Sequence, residues 1–275
     1  MLAESTLSPR LLVFTLGGDT PLTSYGANCV ALASAAGTLL VDPLIAPAHA
    51  AQVAAAIARR GFPPVTHVVV THHHTDHALG AGWFAARGAT VIAHERCAAA
   101  MAASHPAIVA ERRASPGLSA LFADAEPHTP ARTFADSLHV DLGDVGVEAR
   151  YLGPGHTVGD CVVLFPSEDA VACGDLIVSG YHFNYEESDL PALPRALDAV
   201  RALPASHFIP GHGRPGGREL VDAQARYHAD AQRTVASARS RADARVAIRG
   251  QFPGFELPLA IETALDRWPS GWEKT

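Results

Sequence analysis

The chain has 275 residues, of which 48% are hydrophobic and 18% are charged, and its formal net charge is −7 at pH 7. This composition excludes a disordered chain, which would have fewer apolar residues and more net charge. The acidic balance argues against a nucleic-acid-binding protein, because phosphate binding needs clustered Lys and Arg. One large α/β domain or two small ones can bury a substantial core at this length.

The sequence shows no targeting or membrane signal. Its start, MLAESTLSPRLLVFTLGG, lacks the basic region and the long apolar stretch of a signal peptide. No apolar run is long enough to span a bilayer, so we expect no membrane contact. The four cysteines form no CxxC pair, a distribution that suits reduced thiols better than a disulfide framework. We therefore expect a cytoplasmic protein.

The first half of the chain alternates β-like runs with Ala-rich helical stretches. The patterns predict strands at residues 11–17, 28–34, 38–43, 67–70 and 90–94. They predict helices at residues 49–61, 78–88 and 95–113. The run HVVV at 67–70 is typical of a strand that is buried on both faces. Strand, helix, strand order favours a layered α/β fold.

The second half resumes after residues 114–134, which are rich in Ser, Pro, Asp and Ala and predict a linker or surface insertion. A helix is predicted near 191–203, and strands are predicted at 138–142, 146–152, 161–165, 170–173 and 207–210. Cys161 and Cys173 fall within these strand-like runs, where buried inert thiols are expected. We expect residues 1–275 to form a single domain with a C-terminal helical extension from about residue 216.

Histidine is unusually frequent, with 15 residues, and the densest group is Thr71-His72-His73-His74-Thr75-Asp76-His77. In an extended stretch, residues two apart point the same way, so His72 and His74 can hold one ion together. The turn into the next helix would move Asp76 and His77 toward a second position. Imidazole and carboxylate suit zinc, iron or manganese. A solvated His-rich turn is the alternative, but the group follows a buried strand, at the usual functional edge of an α/β sheet.

Three more polar residues lie beside glycines and near predicted strand ends. His156 lies in the sequence GPGHT, Asp175 ends the strand VACGD, and His212 lies in PGHG. Flanking glycines let the backbone approach a metal or ligand closely. Together with the histidine-rich segment, these residues supply what a two-metal site needs.

The combination of HHHTDH at 72–77, GPGHT at 153–157, GDLI at 174–177 and PGHG at 210–213 resembles the metallo-β-lactamase superfamily. The resemblance implies a four-layered αββα sandwich of the α/β class. It also implies that one metal is held by His72, His74 and His156. The second would be held by Asp76, His77 and His212, with Asp175 bridging both.

The resemblance also implies a hydrolase with two zinc ions per chain, iron or manganese being the alternatives. The substrate would be a small lactone, ester or thioester, attacked by a metal-bound hydroxide that two ions on the order of 4 Å apart can share. Asp76 would orient the hydroxide or pass a proton to the leaving group. Tyr181 would stabilise the oxyanion, or its ring would simply pack the loop onto the sheet. Asp42 would accept a hydrogen bond from a ligand imidazole or cap the turn at Pro43.

Several branches of the family remain open at this stage. Asp175 stands where β-lactamases of this fold commonly carry cysteine or serine, which disfavours β-lactam hydrolysis. A mononuclear iron persulfide dioxygenase is a second alternative, although the full set Asp76, His77 and His212 favours two metals. A non-catalytic binder would be expected to lose ligands, and none is missing. Trp268 and Trp272 predict either core packing or a homodimer contact.

Overall fold

Two β-sheets form the centre of the protein in its computed structural model, which describes residues 2–270 and 272. Within those residues the first sheet contains, side by side in chain order, β1 (Ala3–Thr6), β2 (Leu11–Thr15), β3 (Asn28–Ser34), β4 (Gly37–Val41), β5 (Val65–Val70), β6 (Thr90–His94) and β7 (Arg132–Phe134). The second sheet contains β8 (Ser137–Asp141), β9 (Gly146–Tyr151), β10 (Cys161–Phe165), β11 (Ala170–Ala172) and β12 (His207–Ile209). These five strands also lie side by side in chain order.

The helices connect the strands and extend the chain beyond the second sheet. Those in the first half are α1 (Pro47–Arg59), α2 (Thr75–Ala78), α3 (Ala81–Ala85), α4 (Glu95–Ala114) and α5 (Ser119–Phe122). Those in the second half are α6 (Leu193–Arg201), α7 (Glu219–Ser237), α8 (Arg241–Gln251) and α9 (Ala260–Arg267). Across the described residues, no helix is both long enough and apolar enough to cross a membrane.

Successive residues of a strand point to opposite faces of the sheet and pack into different apolar cores. In β2, Leu11 joins Val147 of the second sheet in one buried cluster, whereas Leu12 joins Val53 of α1 in another. Helices α6 and α7 cover the outer face of the second sheet. Helix, sheet, sheet and helix therefore stack in four layers, which confirms the predicted αββα sandwich.

Parallel pairing brings the polar loops to one place. Strands β4 to β7 pair in parallel, and so do β11 and β12. The carboxyl ends of parallel strands lie at the same edge of a sheet, where ligands usually bind. Asp42 follows β4, residues 72–77 follow β5, Asp175 follows β11 and His212 follows β12. The topology therefore delivers the predicted site residues to one edge of the sandwich.

Two predicted segments differ in the structure. Residues 114–134 do not form only a linker, because they contain α5 and end in β7, which pairs with β6. A three-residue strand is too short to show periodicity, which explains why the sequence did not predict it. The predicted helix at 78–88 is interrupted between α2 and α3, where the Gly80 N–H donates to Leu44 O at 2.8 Å.

The C-terminal helices form a small core of their own. Val235 of α7, Ala244 and Ile248 of α8, and Ile261 and Leu265 of α9 are buried together. The partly buried side chains of Trp268 and Trp272 pack against this cluster. Core packing, one of the two alternatives for these tryptophans, is therefore what the structure shows.

The cysteines are all free and buried. Cys161 lies in β10, and Cys173 directly follows β11. Burial raises the pKa of both thiols above the ordinary value. The prediction of buried, inert thiols is confirmed for these two residues.

Candidate metal centre

The seven side chains predicted as metal ligands lie together at the edge where the two sheets meet. They form two groups whose nitrogen and oxygen atoms lie within 4.8 Å of one another in each group. The first group is His72, His74, His156 and Asp175, and the second is Asp76, His77 and His212. The structure thus brings together the seven candidate metal ligands, whereas Tyr181, the other predicted site residue, lies to one side of them.

Glycine permits this convergence where the loops after β11 and β12 touch. The Gly211 N–H donates to Gly174 O at 2.8 Å. A Cβ atom placed on Gly211 would lie 1.8 Å from Asp175 Oδ1. Any side chain at position 211 would therefore displace the Asp175 carboxylate or the loop itself.

Asp175 faces both groups. Its Oδ2 lies 3.9 Å from His72 Nε2, 3.6 Å from His156 Nε2 and 3.4 Å from His212 Nε2. Its Oδ1 lies 3.3 Å from His77 Nε2. One carboxylate can therefore serve two adjacent cations.

Hydrogen bonds orient two of the three imidazoles in the first group, those of His72 and His74. His74 donates from Nε2 to Glu187 Oε2 at 3.0 Å, which leaves Nδ1 facing His156 Nε2 at 2.9 Å. Thr71 donates its hydroxyl proton to Asp42 Oδ2 at 2.7 Å, so its oxygen accepts from His72 Nδ1 at 3.0 Å. In the neutral rings, the remaining lone pairs then point into the site.

The second group is oriented in the same way. His77 donates from Nδ1 to Asp42 Oδ2 at 2.9 Å, and His212 donates from Nδ1 to Tyr25 O at 3.0 Å. The two Nε2 atoms face each other at 3.2 Å. Asp76 Oδ2 lies 3.6 Å from His77 Nε2 and 3.3 Å from His212 Nε2. The expectation that Asp42 accepts from one of these imidazoles is confirmed.

The carboxylates make this buried region attractive to cations. Burial lowers the pKa of His72 well below its ordinary value and that of His156 to about 3. Burial also tends to lower the pKa of His212, but the negative charges of Asp175 and Asp76 outweigh this effect and raise the pKa to about 9. The pKa of His77 is raised for the same reason. Where no other cation is bound, protons would occupy the second group.

The chemistry of these residues fits divalent metal ions. The His77 and His212 Nε2 atoms face each other at 3.2 Å, so that a metal ion or a shared proton can lie between them. Among the residues described, His72 Nε2 is buried and has no hydrogen-bond partner. A set of imidazole nitrogens and carboxylate oxygens suits zinc, iron or manganese.

A cavity of about 430 Å³ opens over both groups. Asp76 and Asp175 face it, and its walls include Tyr25, His73, Ser104, Arg112, Glu187 and Leu257. The sequence did not predict a role for Tyr25, Arg112 or Glu187. None of these three directly follows a predicted strand, which was the signal shared by the candidate ligands.

Tyr181 lies beside the site but not in the wall of this cavity. Its hydroxyl donates to Gly18 O at 3.3 Å, and its ring centroid is 5.2 Å from that of His212. Burial raises its pKa to about 12. Its role in stabilising an oxyanion stays a prediction, since the hydroxyl is engaged by a backbone carbonyl.

The geometry agrees with a comparison to known families, in which residues 22–249 match the model of the metallo-β-lactamase superfamily. The chain belongs to this superfamily. Membership places the protein among αββα sandwich proteins, in a superfamily whose members generally bind divalent metals.

Curated relatives come from more than one branch of the superfamily. The chain is 31% identical over 238 residues to a hydroxyacylglutathione hydrolase of Acidiphilium cryptum, covering 85% of this chain and 81% of that protein. It is 35% identical over 98 residues to a type 2 metallo-β-lactamase of Bacteroides fragilis. That second match covers 34% of this chain and only 39% of the B. fragilis protein.

A solved structure shows the same fold. The metallo-β-lactamase from Pontibacter korlensis has a TM-score of 0.67 and 21% sequence identity to this chain. The match covers 81% of this chain and 96% of that one. Identity this low supports the shared fold and leaves the substrate open.

Proposed function

We propose that the protein is a dinuclear, zinc-dependent hydrolase that cleaves the acyl bond of a small lactone, ester or thioester. This proposal is supported by the two groups of candidate ligands, both of which face the Asp175 carboxylate. One ion would be held by His72, His74 and His156, the other by Asp76, His77 and His212, and both by Asp175. Bound zinc would supply Lewis acidity for an acyl carbonyl and lower the pKa of water.

Asp76 is the residue best placed to move a proton. Its side chain is 13% exposed and faces the cavity, unlike the buried carboxylate of Asp42. We assign Asp76 two functions, namely orienting the attacking water and returning a proton to the leaving group. Proton transfer by a positioned carboxylate typically contributes about 10²–10⁴-fold to a rate.

Arg112 suggests a substrate that carries a negative charge. Its Nη2 donates to Thr75 Oγ1 at 3.1 Å, while its Nη1 is buried and has no hydrogen-bond partner in the structure. Arg112 lines the cavity, so its positive charge would attract a carboxylate or similar anionic group of a substrate there. The similarity to the Acidiphilium hydroxyacylglutathione hydrolase over most of both chains supports a thioester among the candidates.

β-Lactam hydrolysis is the second candidate. The match of 98 residues to the Bacteroides metallo-β-lactamase favours it. A β-lactam also presents a carbonyl for attack and a carboxylate for Arg112. Asp175 at the shared position is the feature that ranks this candidate below the first.

The test combines metal analysis with a substrate panel. Purified protein should contain about two zinc ions per chain and hydrolyse one class among thioesters, esters, lactones and β-lactams. The His74→Ala and Asp175→Ala variants should lose zinc and turnover. About one iron per chain, oxygen uptake with a persulfide and no hydrolysis would instead establish the mononuclear iron alternative.

A further inference from the structure

The loop that carries Glu187 (residues 184–189, the Glu187 loop) contacts the first ligand group directly. Glu187 Oε2 accepts from His73 Nε2 at 2.7 Å and from His74 Nε2 at 3.0 Å. The second bond turns His74 Nδ1 toward His156 and sets the orientation of the His74 ring. Carboxylates that hold a ligand imidazole in this way raise its basicity and its metal affinity.

The other end of the same loop contacts the His156 segment. Ser188 Oγ donates to His156 O at 3.2 Å, and the Asp189 N–H donates to Gly155 O at 2.9 Å. The Glu187 loop therefore touches the chain at two of the three imidazoles in the first group. A shift of this loop would move both.

Helix α9 holds the Glu187 loop from behind. The Arg267 guanidinium donates to three main-chain carbonyls, those of Tyr185 at 3.1 Å, Ser188 at 2.8 Å and Glu186. Thr263 Oγ1 accepts from the Tyr185 N–H at 2.8 Å. Two side chains of one helix thus satisfy four backbone groups around Glu187, which fixes the conformation of the loop.

This support lies outside the part of the chain that matches the superfamily model. The match ends at residue 249, whereas α9 begins at Ala260. The contacts between α9 and the Glu187 loop therefore join a helix outside the matched residues to a loop within them.

We propose that α9 controls the affinity of the first metal position through the Glu187 loop. Arg267 and Thr263 hold the loop, and Glu187 in turn holds the His74 ring with Nδ1 toward the metal. Glu187 and Arg267 are positioning residues, since neither lies among the predicted ligands. The inference rests on the dinuclear site of the proposed function and does not depend on which substrate is cleaved.

The first experiment measures zinc affinity in Glu187→Gln and in Glu186→Gln, by competition of the metal-free protein with a chromophoric chelator. Both variants remove one negative charge from the same loop beside the cavity, but the Glu186 carboxylate forms no hydrogen bond or ion pair among the residues described. Since the Glu187 side chain is 49% exposed, the variant should fold. Glu187→Gln should weaken one of the two zinc sites by about 10- to 100-fold. Equal affinities in both variants and the parent protein would overturn the role of Glu187.

The second experiment compares Arg267→Gln with Arg241→Gln. Arg241 also holds α9, through Glu262 and Asp266, but it does not contact the Glu187 loop. Arg267→Gln should weaken the same zinc site by roughly tenfold, whereas Arg241→Gln should affect only thermal stability. Equal zinc affinity in the two variants would overturn the role of α9.

The two experiments also separate this inference from the proposed function. If no substrate is hydrolysed but two zinc ions bind and Glu187→Gln weakens one of them, the inference stands and the proposed reaction fails. If substrate is hydrolysed and Glu187→Gln binds zinc as the parent protein does, the reaction stands and the inference fails. If the parent protein binds no zinc, both fail.

Discussion

Asp42 and His77 are joined by a buried hydrogen bond of 2.9 Å between Asp42 Oδ2 and His77 Nδ1. Asp42 has φ +57, and its Oδ1 also accepts from the Thr71 N–H at 2.8 Å. The carboxylate therefore orients His77 directly and, through the Thr71 hydroxyl, His72. A single residue in the left-handed region links one imidazole from each ligand group.

The Asp42→Asn substitution tests this link. Asn tolerates the left-handed conformation, so the variant removes the charge without adding backbone strain. We expect zinc affinity to fall by about 10- to 100-fold, because the imidazoles lose a charged acceptor. Zinc titration of the metal-free protein measures this. Unchanged affinity with an unchanged melting temperature would contradict the expectation.

The Gly211→Ala substitution should abolish the site sterically. The added methyl group would overlap Asp175 Oδ1, the carboxylate that faces both groups. We expect loss of bound metal and of turnover, seen by elemental analysis and by the substrate assay. Gly250→Ala is the matched control, since a Cβ at Gly250 meets no atom within 4 Å.

The Arg112→Met substitution should impair hydrolysis of a negatively charged substrate more than hydrolysis of a neutral one. Methionine keeps an unbranched side chain but removes the cation whose Nη1 lacks a partner. For a carboxylate-bearing substrate we expect kcat/KM to fall by about 10- to 100-fold. This decrease corresponds to the loss of one charge-assisted hydrogen bond, which contributes about 1.5–3 kcal/mol. For a neutral analogue of the substrate, kcat/KM should change by less than about threefold. Equal decreases in kcat/KM for both substrates would show that Arg112 does not recognise the charge of the substrate.

Glu262 should make the C-terminal helices sensitive to acid. Its carboxylate accepts from Arg245 and from Arg241, and these hydrogen bonds lower its pKa to about 2. Because the folded-state pKa is lowered, the contribution to the free energy of unfolding is present above the unfolded pKa of about 4.3 and is lost as pH falls toward 2. Solvent screening at this partly exposed site limits that contribution to about 1 kcal/mol.

Urea unfolding of the parent protein and Glu262→Gln at pH 7 and pH 3 measures this contribution. The parent protein should be the more stable of the two at pH 7. The difference should shrink at pH 3, where the carboxylate begins to be protonated. A difference that is the same at both pH values would assign the effect of the substitution to packing.

The convergence of the candidate ligands was predictable because each follows a strand that local patterning identifies. These strands were predicted at 67–70, 146–152, 170–173 and 207–210, and the structure has them at Val65–Val70, Gly146–Tyr151, Ala170–Ala172 and His207–Ile209. His156, Asp175 and His212 carried the additional signal of neighbouring glycines, one of which, Gly211, is required by the close approach of Asp175. Short-range sequence features therefore encode most of this site.

The residues around the ligands were not predictable in the same way. Glu187 lies in the loop after Asp175, which the sequence predicts to border the substrate pocket, but only the folded loop places it against His74. Arg112 comes near the end of a long helix, and Tyr25 lies in a turn with φ +49. Arg267 contacts a loop about 80 residues earlier in the chain. These contacts arise from tertiary packing between distant segments, which leaves no periodicity in the sequence.

The placement of the two ligand groups has a mechanical consequence. His74 and His156 are 82 residues apart, and His77 and His212 are 135 residues apart. Ions bound there would act as reversible cross-links between the two sheets, in a protein whose four cysteines are all buried and free. Because such ions bind only the folded chain, each would add stability as RT ln(1 + [L]/Kd). The supply of metal would then determine the stability of the folded protein as well as its catalytic activity.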